Sequence, residues 1–181
     1  MRLSIKRKKY IYWLVSFVSL MIILLSIYYL LGGFDSVRIE RIESGRYSVV
    51  GKWVKGSAVR KEESELFSEL KQLRQSGTVE GELCLIDFQN DTLTNHEVVH
   101  FMGILLMSDV FKMPQGYEVF EIDAKSTYMA ALSMHPLVMP NTGKAQALLE
   151  ETAAKDSVIL DPMTLEIYYE DNSVMVQMFG N

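Results

Sequence analysis

The sequence predicts an α+β domain with one antiparallel sheet and two helices on one side of it, behind a single N-terminal transmembrane helix. Three observations predict it. The 22 residues from Tyr10 to Leu31 carry no charge. The remaining chain reads twice as strand-strand-helix-strand-strand. The stretch Thr164-Leu165-Glu166-Ile167-Tyr168-Tyr169-Glu170 alternates in the manner of a half-buried strand.

At about 1.5 Å per residue, a helix over residues 10–31 is roughly 33 Å long and spans a bilayer core. Tyr10, Tyr12 and Trp13 at one end and Tyr28 and Tyr29 at the other have the placement of interfacial aromatics. A cleaved signal peptide has a shorter apolar core and a small-x-small site, which Leu31-Gly32-Gly33-Phe34 does not offer. The expectation is therefore an uncleaved anchor. Arg2, Lys6, Arg7, Lys8 and Lys9 precede it. By the positive-inside rule residues 1–9 stay in the cytoplasm and the domain faces outward, periplasmic or extracellular.

Gly32-Gly33 ends the helix, and residues 32–35 form a linker. Val37–Ile42 and Arg46–Val54 read as strands separated by a turn at Ser44-Gly45. Val59–Ser76 reads as a helix, with Val59, Leu66, Phe67, Leu70 and Leu73 on one stripe and Gly77 closing it. Glu82–Phe88 and Val98–Met107 are strands, joined by a polar loop over Gln89–Glu97. Pro114 and Gly116 lie in a connector. The pattern then repeats. Tyr117–Ile122 and Ser126–Met134 are strands around an Asp123-Ala124-Lys125 turn. Thr142–Lys155 is a helix with Ala145, Leu148, Leu149 and Thr152 on one face. Thr164–Glu170 and Val174–Phe179 form the last hairpin, through Asp171-Asn172.

An internal repeat outweighs any single assignment. Ile39-Glu40-Arg41-Ile42 matches Val119-Phe120-Glu121-Ile122 loosely, and Arg46-Tyr47-Ser48-Val49 matches Thr127-Tyr128-Met129-Ala130. Each half alone exposes an apolar sheet face. Two halves joined edge to edge bury both helices on one side, and the other side is expected to curve into a ligand groove.

Composition narrows the function. Five of the 18 Lys and Arg lie before residue 33, so the remaining 13 face 23 Asp and Glu, a net of −10. That balance is poor for nucleic acid, whose phosphates need clustered Lys and Arg. It suits cationic or neutral ligands. The single cysteine, Cys84, sits in an apolar run and reads as a core residue. His96 and His100 are four apart but fall in a loop and the following strand, so no metal is expected. No Ser-His-Asp or Cys-His constellation and no phosphate-cradling Gly loop is present, and no cofactor is expected.

The duplicated order, Tyr117-Glu118-Val119-Phe120-Glu121-Ile122 followed by Thr127-Tyr128-Met129-Ala130, the second helix running into Asp161-Pro162, and above all Leu165-Glu166-Ile167-Tyr168 carry a family resemblance. The chain resembles, over about residues 36–180, the GyrI-like small-molecule-binding domains, which include effector-binding domains of multidrug-responsive regulators. The Gly103 strand also fits. The resemblance implies that Glu166 stands in the middle of a ligand cleft. Tyr168, two residues on, shares its strand face. Tyr128, Tyr47, Trp53, Phe88 and Phe101 are the further aromatic candidates for stacking and cation–π contact. Some members of the family hydrolyse reactive electrophiles with this glutamate. In that alternative Glu166 is catalytic and activates water, and Tyr168 holds the substrate. No DNA-reading helix-turn-helix is legible. The sequence thus anticipates a membrane-anchored binder of an amphipathic or cationic small molecule, with a hydrolase or a protein-interaction module as alternatives.

Overall fold

The computed structural model describes residues 5–56, 60–88, 98–108 and 111–180. The elements run α1 (Ile5–Leu30), β1 (Arg38–Gly56), α2 (Arg60–Gln75), β2 (Gly81–Phe88), β3 (Val98–Leu106), β4 (Glu118–Leu132), α3 (Thr142–Lys155), β5 (Leu160–Tyr168) and β6 (Val174–Gly180). They form two compact units: Met1–Ser36 with Met134–Met139, and Val37–Ser133 with Pro140–Asn181.

In the first unit, Lys9–Leu30 is long and apolar enough to cross a membrane by length and composition. Gly32, at φ 79°, turns the chain out of the helix. The 134–139 segment belongs to the same unit, and the His135 amide donates to the Leu31 carbonyl at 3.0 Å.

The second unit holds one six-stranded antiparallel sheet closed on itself in the order β1-β3-β2-β5-β6-β4, with β4 pairing back to β1. Closure follows from the length of β1. Its first part pairs with β4 from Arg38↔Ala131 to Gly51↔Glu118, and its last part pairs with β3 from Val49↔Leu105 to Gly56↔Val98.

This corrects the strand count. Ser44-Gly45 and Asp123-Ala124-Lys125 are not turns between separate strands. Pairing continues through Glu43↔Ser126 and Gly45↔Ala124, so each presumed strand pair is one long strand. Ser44 has φ 48°, and this left-handed residue bends β1 without ending it. Asp161-Pro162 likewise lies inside β5, where the register slips between Leu160 and Thr164. A bulge tolerates a residue that cannot donate a ladder bond.

The helices follow their apolar stripes with two adjustments. In α2, Leu66 and Leu70 are buried while Phe67 is half exposed. In α3, Ala145, Leu149 and Ala153 are buried and Leu148 faces solvent. Asn141 caps α3, its side chain accepting from the Lys144 amide at 3.0 Å. Val59 and the Gln89–Glu97 loop lie outside the described residues.

One core lies on the sheet face away from the helices and contains Val49, Cys84, Ile86, Phe101, Ile122, Leu165, Ile167 and Phe179. A second lies beneath α2 and contains Val54, Leu66, Leu70, Val79, Leu83, Met102 and Ile104. Burial of Cys84 raises its thiol pKa far above the ordinary range, which fits a core residue.

Candidate functional site

Cross-strand partners share a face, so the ladder register fixes the surroundings of Glu166. Glu166 pairs with Leu85 on β2 and Val176 on β6. Thr164, two residues earlier, pairs with Asp87 and Met178. Tyr168, two residues later, pairs with Leu83 and Val174. The helices reach the two ends of this short row. From α2, the Phe67 ring meets the Tyr168 ring edge-on, with centroids 6.1 Å apart. From α3, Gln146 Nε2 donates to Thr164 Oγ1 at 3.2 Å. Both helices therefore cover the face that carries Thr164, Glu166 and Tyr168, and Glu166 lies between their footprints.

That placement corrects the expected groove on the side opposite the helices. The opposite face of β5 presents Leu165 and Ile167 to a packed core. Alternation forces the choice: with Leu165 and Ile167 in the core, Glu166 and Tyr168 must face the helices.

Glu166 is 8% exposed. The Tyr168 hydroxyl donates to its Oε2 at 2.6 Å. Burial first, and then the adjacent Glu166 carboxylate, push the Tyr168 phenol far above its ordinary pKa, so it stays a protonated donor. No Lys, Arg or His of the described residues forms an ion pair with Glu166. A buried carboxylate without a counter-cation is costly. A ligand that brings a positive charge would offset that cost.

The remaining candidates separate by face. Phe101 lies in the core opposite Glu166, with Phe88 packed against it. Trp53 joins them, its ring 5.2 Å from Phe88 and 5.1 Å from Phe101. Phe120 completes the cluster, 5.6 Å from Phe88 and 5.5 Å from Phe101. Tyr47 packs on the same core and donates to Thr127 Oγ1 at 3.2 Å. Tyr128 donates at 2.7 Å to Asp156, the C-cap of α3, beneath the Arg41 guanidinium. Of the six aromatic candidates, Tyr168 bonds to Glu166; Tyr128 shares that face two strands away, since Met178 is the register partner of both Tyr128 and Thr164, but its hydroxyl is turned to Asp156.

His100, weighed from sequence only as a metal ligand with His96, forms a bridge on the helix-covered face that the sequence reading did not foresee. His100 Nδ1 lies 2.7 Å from Glu63 Oε1 on α2, and Nε2 lies 3.3 Å from Asp87 Oδ1 on β2. Asp87 principally, and Glu63 with it, raise the imidazole pKa against the opposing effect of burial. Asp87 is the register partner of Thr164, so this bridge ties α2 to the sheet next to the Glu166 row. Glu63 and Asp87 are 37 and 13 residues from His100 in sequence; strand register brings Asp87 to it, and the packing of α2 on the sheet brings Glu63.

Two shallow depressions lie elsewhere. One of about 500 Å³ is lined by Ser44–Arg46 and Asp123–Lys125. One of about 290 Å³ lies beside the C-terminal half of α3, against Leu160, Pro162 and Met178.

No family model matches the chain, and no curated protein does. Solved structures match it by shape. A hydrolase from Listeria innocua superposes with TM-score 0.52 at 10% identity, covering 82% of this chain and 95% of that one. SAV2435 bound to tetraphenylphosphonium gives TM-score 0.43 at 9% identity, covering 81% and 94%. The EcmrR C-terminal domain gives 0.47 at 12%, covering 81% and 97%. At these identities the likeness to the Listeria protein is one of fold alone.

Proposed function

We propose that the chain is a membrane-anchored, GyrI-like small-molecule-binding protein whose Glu166 receives an amphipathic or cationic ligand. The observation that carries this reading is a carboxylate at 8% exposure, on the helix-covered face, with a phenol for a partner and no ion pair to a cation among the described residues. Residues 36–181 form the binding domain. The order β1-α2-β2-β3 followed by β4-α3-β5-β6 supports its origin as a duplicated unit. Phe67 and Tyr168 supply ring surface at the carboxylate, and each ring face adds about 0.5–2 kcal/mol toward a desolvated cation. Residues 10–31 hold the domain at the membrane, and the basic residues before them set it on the outer side.

The test is isothermal titration of tetraphenylphosphonium into the full chain in neutral-lipid nanodiscs, beside Glu166→Gln. The expected result is at least about a tenfold loss of affinity in the variant, or 1.4 kcal/mol. Equal affinity in a folded variant overturns the role of Glu166.

A hydrolase is the second reading, favoured by the 2.6 Å pairing of Glu166 with a protonated phenol. There the Tyr168 O–H turns from Glu166 to the substrate, which frees the carboxylate to take a proton from the attacking water. Turnover of a reactive electrophile that is lost in Glu166→Gln would establish it. Unchanged turnover would remove it.

A further inference from the structure

The turn around Leu137 lies between β4 and α3 and belongs to the same unit as the apolar helix. Met134-His135-Pro136-Leu137-Val138-Met139-Pro140 carries no formally charged residue and is mostly apolar. It is folded tightly: the amides of Val138 and Met139 both donate to the His135 carbonyl, at 2.9 and 3.0 Å. The Leu137 amide donates to His135 Nδ1 at 3.2 Å. Three successive backbone amides are thus satisfied within the turn, which lowers the cost of placing it at a lipid boundary. Its apolar side chain nonetheless points outward, with Leu137 81% exposed.

The turn is held at the end of the apolar helix. The His135 amide satisfies the Leu31 carbonyl, one of the acceptors that a helix C-terminus leaves open. Met134 is buried, with its Cβ close against Gly32. Phe34, 65% exposed, lies in the same unit and stacks edge-on with Tyr28 at 5.0 Å. A helix end marked by Tyr28 and Tyr29 sits at headgroup depth when the helix spans a bilayer. A turn bonded to Leu31 sits there too.

We propose that residues 134–139 insert into the headgroup–acyl boundary beside the end of α1, with Leu137 and Phe34 as the buried side chains. The partner is the lipid bilayer itself, argued from continuity with the membrane-crossing helix. Insertion of this kind is shallow, since only one or two apolar side chains enter the boundary. The proposal rests on the anchor reading of residues 10–31, and the test separates the two.

The full chain is reconstituted in phosphatidylcholine vesicles with or without lipids carrying a doxyl quencher near the headgroup. An environment-sensitive fluorophore is placed at Leu137→Cys, at Ile22→Cys within the helix, and at Ile159→Cys. Ile159 is an 86%-exposed apolar position in the other unit. The wild-type chain, whose buried Cys84 thiol is held protonated, is the labelling blank. The expected result is at least about twofold quenching at Leu137→Cys by the shallow quencher, with Ile159→Cys unquenched. Deeper quenchers then act most on Ile22→Cys. If Ile22→Cys is quenched while Leu137→Cys behaves as Ile159→Cys does, the anchor stands and the proposal falls. If Ile22→Cys is itself unquenched, the anchor reading fails and the proposal with it. A blue-shifted but unquenched probe at Leu137→Cys assigns the turn to a protein contact and overturns the lipid assignment.

Discussion

Tyr168 gives its only hydroxyl proton to Glu166. Replacing it with Phe leaves a buried carboxylate short of a donor, which costs about 1–3 kcal/mol. Urea unfolding of Tyr168→Phe is expected to show that loss, and Tyr168→Phe/Glu166→Gln to recover part of it because the amide is neutral. His100 sets a pH dependence whose sign follows from its bridge to Glu63 and Asp87. Its folded pKa lies above the ordinary 6.5. The bridge therefore contributes fully below the unfolded value and is lost as pH rises through the raised folded value. Protection of the α2 amides, taken relative to their intrinsic exchange rate, is expected to fall on passing upward through that window, and His100→Gln to remove that fall. The Glu166–Tyr168 pairing was legible from alternation alone. The bridge was not, because nothing local in Glu63, Asp87 or His100 announces the register that joins them.

At the scale of elements, β1 and β3 cross closely where Gly51 faces Gly103. A Cβ on Gly103 would meet the Val50 carbonyl oxygen and come within 2.7 Å of Val49 Cγ1. Gly103→Ala is therefore expected to destabilise by about 1–3 kcal/mol through overpacking, measured as a lowered denaturant midpoint with unchanged slope. Asn141→Ala removes the α3 cap and is expected to cost about 0.5–2 kcal/mol, read in the same way. Both helices and the strands β2, β3, β5 and β6 were recognisable from periodicity and punctuation. The joins inside β1 and β4 were not. Ser44-Gly45 and Asp123-Ala124-Lys125 have turn composition, yet each lies opposite the other in one ladder, and tertiary pairing outweighs local preference. The helix-covered side of the sheet was equally out of reach. Alternation divides residues between two faces but does not say which face a helix will cover.

For the molecule as a whole, the apolar helix and the basic residues before it lead to a direct expectation. Alkaline carbonate is expected to leave the chain in the membrane fraction, and removal of residues 1–31 to release it. Protease is expected to reach the domain only from the side opposite the basic terminus. Release of the full chain by carbonate would contradict the anchor. The closed sheet has a further effect, on timing. β6 comes last in chain order among the six described strands, yet it fills the place between β4 and β5. Until residues 174–180 have been synthesised, β4 and β5 each present an unpaired edge and the ring stays open. The earlier strands therefore stay exposed until residues 174–180 have emerged and paired.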